Sequence, residues 1–177
     1  MDKLLREGKE LSLHFEKGSI LVIKSTSFDL EANGPSPFKI QEENYFDLYN
    51  KDGNITLRIG FREGQKKIFC NDRASKSIGD GWGKERSTDL GPMGVDRLKG
   101  ITISVYAVSS HRYQVLFDLT TVCFFDSRFS GPAEKMAYPP PAGVFGGRTI
   151  LSNSLRVKQY EIRDLPPEEK QAIESGG

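Results

Sequence analysis

The sequence predicts an all-β domain, an antiparallel sandwich or barrel, on three observations. Apolar and polar residues alternate in short runs, turn-forming residues punctuate those runs, and Pro/Gly-rich segments interrupt the series. Short strands at such spacing, joined by turn chemistry, pair with their neighbours in antiparallel fashion.

Leu11–Phe15 alternates Leu, Ser, Leu, His, Phe and predicts the first strand. Glu16-Lys17-Gly18 turns the chain into the compact apolar run Ser19–Lys24. Asn44–Tyr49 alternates again, and Lys51-Asp52-Gly53-Asn54 predicts a hairpin into Ile55–Arg62. Arg62-Glu63-Gly64-Gln65 predicts the turn to Lys67–Asn71. Ile101–Val108, Tyr113–Leu119 and Val122–Asp126 follow, joined by Ser109-Ser110-His111-Arg112 and a short turn near Leu119-Thr120. Thr149–Leu151 and Leu155–Ile162 complete the predicted strands.

Three kinds of segment break this pattern. Glu31–Pro37 is a Pro/Gly loop, and Asp72–Gly81 and Thr88–Gly100 are loop-like in Gly, Ser and charge. Tyr138-Pro139-Pro140-Pro141-Ala142-Gly143 excludes helix and central strand and predicts a crossing between sheets or over one edge. Pro166-Pro167-Glu168-Glu169 predicts one or two helical turns, because Pro opens a helix and acids favour its first turn. Residues 1–163 are expected as one domain and 164–177 as a polar C-terminal tail.

The chain has 177 residues, 37% hydrophobic and 28% charged, with a formal net charge of +1. That is ordinary globular composition, with no net field to draw it to nucleic acid or an anionic membrane. Met1–Glu7 lacks an apolar h-region, and no stretch reaches transmembrane length. Cytosolic synthesis without a signal peptide and no membrane insertion are expected, with any export by a non-conventional route. Cys70 and Cys123 each lie in an apolar strand-like run and read as buried reduced thiols, without metal-ligand spacing.

Catalytic constellations are missing from the pattern. His14 and His111 have no partner at metal-ligand spacing, so neither metal nor cofactor is expected. Asp47, Glu85–Asp89 and Glu161–Asp164 lack the alternate strand spacing of a glycosidase carboxylate pair. Gly143–Arg148 carries glycines without the Lys-Ser/Thr of a phosphate loop. No enzyme is expected.

The informative stretch is Leu57–Ser87. Strand alternation puts Arg58, Gly60 and Arg62 on one face and Leu57, Ile59 and Phe61 on the other. Asn71, Trp82 and Glu85 follow closely. Trp82 is the only tryptophan and sits between Gly81 and Gly83 without apolar flanks. It reads as an exposed stacking platform, against the alternative of an indole folded over the core edge. Two guanidiniums, an Asn, a Trp and a Glu together suit a shallow sugar site. The indole face meets polarised C–H groups, and charged donors and acceptors read the hydroxyls.

These residues resemble the galectin signature, His-x-Asn-Pro-Arg, then Val-x-Asn, then Trp-Gly-x-Glu-x-Arg. The matching runs are Leu57-Arg58-Ile59-Gly60-Phe61-Arg62, Phe69-Cys70-Asn71 and Trp82-Gly83-Lys84-Glu85. Gly18–Ile23, Arg112–Asp118 and Phe124–Arg128 extend the resemblance over most of residues 10–163, with fungal (mushroom) galectins the most similar. It implies a jelly-roll β-sandwich of two antiparallel sheets, made without a signal peptide. It further implies a non-catalytic lectin for β-linked oligosaccharides or glycoconjugates on one concave sheet face, assembled as a homodimer or homotetramer.

Carried over by position, Arg62 and Glu85 form the charged reading pair, Asn71 serves a rim hydroxyl and Trp82 stacks. Arg58 stands where the family has His, Gly60 where it has Asn, and Phe61 where it has Pro. The final signature Arg falls at Ser87; Arg86, the sixth candidate, is one place early, and alternation turns it away unless a bulge intervenes. A lost donor costs about 1–2 kcal/mol, so losing both the His and an Arg lowers lactose affinity by roughly tenfold or more. Specificity is therefore expected to shift from lactose-type galactosides toward β-glucose, N-acetylglucosamine or modified galactose chains. The competing reading is a galectin-fold protein-interaction module that has lost sugar binding.

Overall fold

A computed structural model describes residues 2–29, 43–62, 66–76, 79–90, 100–139 and 150–176. Among the described residues, twelve strands lie in two antiparallel sheets: β1 (Lys3–Arg6), β2 (Lys9–Phe15), β3 (Ser19–Ser25), β4 (Glu43–Asn50), β5 (Ile55–Arg62), β6 (Lys67–Arg73), β7 (Arg86–Asp89), β8 (Ile101–Ala107), β9 (Arg112–Phe117), β10 (Thr120–Asp126), β11 (Ala133–Tyr138) and β12 (Ser154–Glu161). Sheet I runs β1-β12-β3-β8-β9-β10, and sheet II runs β2-β11-β4-β5-β6-β7. This is the two-sheet jelly-roll sandwich that the resemblance implied.

The core sits between the sheets, filled by alternate residues of each strand. Leu57, Ile59 and Phe61 of β5 face Leu21 and Ile23 of β3 and Val115 and Phe117 of β9 within one buried cluster. Phe28 is its aromatic hub, edge-on to Phe61 of sheet II and Phe117 of sheet I, each at 5.1 Å between ring centroids. A buried polar chain ties the layers. Asn44 Nδ2 donates to the Tyr138 hydroxyl (3.3 Å), which donates to Ser152 O (2.7 Å), while Asn44 Oδ1 accepts the Leu151 N–H (2.6 Å). Burial drives the Tyr138 phenol far above its ordinary pKa, so it remains a donor.

Three strands escaped the sequence reading. β1 and β7 have four residues each and stand at sheet edges, where short charged strands guard against further pairing. β7 replaces the loop expected at Thr88–Asp89. β11, Ala133–Tyr138, has weak β-propensity, yet β2 and β4 pair with it on both sides. Tyr138 therefore ends a strand rather than opening the proline crossing. Thr120 and Thr121 belong to β10.

Segment 164–177 contains a nine-residue helix, α1 (Pro167–Ser175), after a single 3-10 turn at Ile162–Asp164. Pro167 sits in the first turn with Glu168 and Glu169. Leu165 and Ile173 are buried against Ile20 and Leu116, on the outward side of sheet I. Of the expected features, loop 31–37, turn residues 63–65, residues 91–99 of the Thr88–Gly100 segment, 140–143 of the proline run, Gly143–Arg148 and Thr149 lie outside the described residues. Leu151 forms an isolated bridge with Phe28.

Candidate functional site

β5 builds the floor of the site. Its inward side chains are core, so Arg58, Gly60 and Arg62 point outward from sheet II, as the alternation predicted. The register places Asn71 opposite Arg58 and Phe69 opposite Gly60. The β6–β7 pairing puts Ser87 opposite Phe69 and Arg86 opposite Cys70. A groove of about 490 Å³ results, lined by Arg58, Gly60, Arg62, Phe69, Cys70, Asn71, Trp82 and Glu85.

Five of the six sequence-derived candidates therefore converge: Arg58, Arg62, Asn71, Trp82 and Glu85. Arg86 does not. Its pairing with Cys70, a core residue, turns it to the opposite side of the sheet, and no bulge between them restores it. Ser87 holds the groove-side position.

Arg62 and Glu85 form a two-point ion pair. Arg62 Nη1 donates to Glu85 Oε2 at 3.2 Å, and Nη2 donates to Oε1. The Arg62 guanidinium also lies over the Phe69 ring, 4.0 Å from its centroid. A carboxylate so held keeps lone pairs for a hydroxyl donor while its arginine is fixed in plane. Asn71 Oδ1 accepts the Asp72 N–H at 2.9 Å, which sets the orientation of the amide.

Arg58 is anchored to a buried carboxylate. Nε and Nη2 donate to Asp47 Oδ1 (2.6 Å) and Oδ2 (2.8 Å), and that carboxylate is 0% exposed. The guanidinium carbon lies 3.7 Å from the Tyr45 ring centroid and 4.3 Å from that of Trp82. Gly60 has a part in this arrangement, because a Cβ there would come within 3.1 Å of Tyr45 Cβ. Trp82 is half-buried and outside the core, with the Arg73 guanidinium also near its ring, at 5.3 Å. The indole thus lies outside the core but is half-buried rather than exposed, part of it covered by Arg58.

Sequence reasoning missed Tyr45 and the pairing of Asp47. The available signal was the hairpin: counting back from Lys51–Asn54 sets Asp47 opposite Arg58 and Tyr45 opposite Gly60. Cys70, at the groove floor, and Cys123 are free and buried. Hydrogen bonding to Cys123 and burial push the Cys70 thiol well above its ordinary pKa, which keeps it protonated.

No family model matches the chain. In sequence it is similar to galectin-1 of Coprinopsis cinerea, 28% identical over 101 residues, 56% of this chain and 63% of that relative. The match thus spans less than two thirds of the relative's length. In structure it is similar to sheep galectin-11 in complex with glycerol (TM-score 0.59, 17% identity, covering 88% of this chain and 99% of that one). It is also similar to galectin LEC-6 of Caenorhabditis elegans (TM-score 0.60, 12% identity, 89% and 95%). A third neighbour is toad ovary galectin in complex with thio-digalactose (TM-score 0.54, 14% identity, 90% and 98%). This chain is a galectin-type β-sandwich, similar in sequence to a fungal galectin.

Proposed function

We propose that the chain is a non-catalytic lectin that takes β-linked oligosaccharides into the groove on the outward face of sheet II. The observation that carries this reading is convergence. One indole, one Arg–Glu pair and one oriented Asn meet in a single groove, on a fold shared with a galectin that holds thio-digalactose. Specificity is displaced from lactose-type galactosides toward β-glucose, N-acetylglucosamine or modified galactose chains. Support for the displacement comes from Arg58, which replaces a compact imidazole with a fork locked to Asp47 and laid over Trp82. A sugar must meet that guanidinium edge or shift it. One shallow groove binds weakly, so a homodimer or homotetramer would supply avidity.

The same observation favours a second reading. An indole covered by Arg58 is also what a galectin-fold protein-interaction module would carry after losing its sugar ligand.

A glycan array, with Trp82 fluorescence titrated against lactose, chitotriose and laminari-oligosaccharides, separates the readings. Chitotriose or a laminari-oligosaccharide binding at least tenfold tighter than lactose is the expected outcome. Tight lactose binding with no response to the others would end the specificity claim. Silence across the array would move the assignment to the interaction module.

A further inference from the structure

We propose that Asp72 and Arg128, neither of which lines the groove, are positioning residues that fix the Trp82 indole; the inference rests on the reading of Trp82 as the stacking platform. Trp82 lies outside regular strand structure, between two glycines, and Gly81 has a φ of +76°. Such a segment has many accessible backbone states, so an ordered indole needs outside anchors.

One side-chain anchor runs through a single ion pair. Asp72 is the inward neighbour of Asn71 on β6 and is 2% exposed. Its Oδ2 accepts the Arg128 backbone N–H at 2.8 Å, and its Oδ1 accepts Arg128 Nε at 2.7 Å. Arg128 Nη2 then donates to Gly81 O at 2.9 Å. From the β6 side, the Gly83 N–H donates to Asp72 O at 3.0 Å and the Ala74 N–H donates to Gly81 O at 2.9 Å. Gly81 is therefore held by Arg128 and by the β6 backbone, and Gly83 by the β6 backbone with the Asp–Arg pair packed against it.

The pair also occupies the volume that a side chain at position 83 would need. A Cβ on Gly83 would fall 2.2 Å from Asp72 Oδ1 and 2.9 Å from Arg128 Nε. Gly83 and the ion pair are consequently one packing unit. Arg73 extends the clamp: its Nε donates to Asp80 O at 2.8 Å, while Asp80 Oδ1 accepts the Trp82 N–H at 3.2 Å. Preorganisation of this kind lowers the ordering cost of binding, which weighs most in a shallow site.

Trp82 is the only tryptophan in the chain, so its fluorescence reads the clamp without any sugar. Arg128→Ala is expected to raise acrylamide quenching of Trp82 at least twofold and to red-shift its emission, with Arg128→Lys restoring part of the change. Affinity for the best oligosaccharide of the wild-type panel should fall at least tenfold. Gly83→Ala, which displaces the pair by contact, should give the same signature and serves if Arg128→Ala fails to fold. Unchanged quenching and emission in a folded variant overturn the proposal whatever the sugar data show. A wild-type protein that answers no sugar would instead sink the lectin reading, and the quenching comparison would still decide the clamp.

Discussion

The outward face of sheet II carries Arg58, Arg62 and Asn71 and stays open, whereas the outward face of sheet I carries Ile20, Leu116 and Tyr106 and lies beneath α1. Alternation generates both, because each strand gives one set of side chains to the shared core and the other to the outside. The outer sets are satisfied differently. On sheet II, charges are neutralised in place, Arg58 by Asp47 and Arg62 by Glu85, and the rings of Tyr45 and Phe69 back the guanidiniums. On sheet I, apolar residues are taken from water by Leu165 and Ile173 of the C-terminal segment. Gln114 pins that cover, donating from Nε2 to Ile173 O at 3.1 Å. The open face satisfies its charges within itself, whereas the other is sealed by the chain's own C-terminal segment.

The largest effect should come from the open face. Asp47→Ala leaves the Arg58 guanidinium, largely withdrawn from solvent, without its bidentate partner. Loss of about 3–5 kcal/mol is expected, typical of breaking a buried pair from one side. Urea unfolding measures it, and adding Arg58→Met to Asp47→Ala should recover most of the loss. A loss under about 1 kcal/mol would mean that the carboxylate is not what holds the arginine, and the contrast between the faces would weaken.

The sealed face should respond less. Ile173→Ala removes an apolar anchor that is 4% exposed, from a short helix that can settle into part of the space. About 2 kcal/mol of destabilisation is expected, without change in Trp82 emission, since Ile173 packs on sheet I and the groove lies on sheet II. A shift of Trp82 emission in this variant would show that the two faces are coupled through the core.

Legibility follows the same division between local and distant causes. β5 was readable to the residue, because Ile55–Arg62 combines β-branched residues, alternation and a hairpin turn. The Arg62–Glu85 pair was implied by the galectin resemblance, carried over by position, and the non-core place of Trp82 by its polar, glycine-rich flanks. Arg58's partners needed a register across the β4–β5 hairpin, which a residue count can supply. The Asp72–Arg128 bond spans 56 residues and joins β6 to the β10–β11 connection, so no local pattern encodes it. β11 was hidden for a related reason: its strand state comes from neighbours on both sides rather than from Ala, Glu and Lys. The docking of α1 likewise depends on Ile20 and Leu116, far away in the chain.

The smallest expected effect concerns Glu7, where the chain passes from β1 in sheet I to β2 in sheet II and so joins the two systems. Among the described residues its buried Oε1 has no hydrogen-bond partner, and burial raises its carboxyl pKa above the ordinary 4.5. The unfolded chain ionises at the ordinary value, the native chain only at higher pH. Stability linked to Glu7 is therefore fully present below about 4.5 and is lost as pH rises through the native value. Glu7→Gln keeps the shape without the ionisation. Its Tm should match wild type near pH 4 and exceed it at pH 7, by a difference on the order of 1 °C that levels off above the native pKa. Thermal melts of both proteins across this range test it. A difference that is flat with pH, or that shrinks toward neutrality, would show that the Glu7 carboxylate is well solvated and that the passage between the faces carries no charge strain.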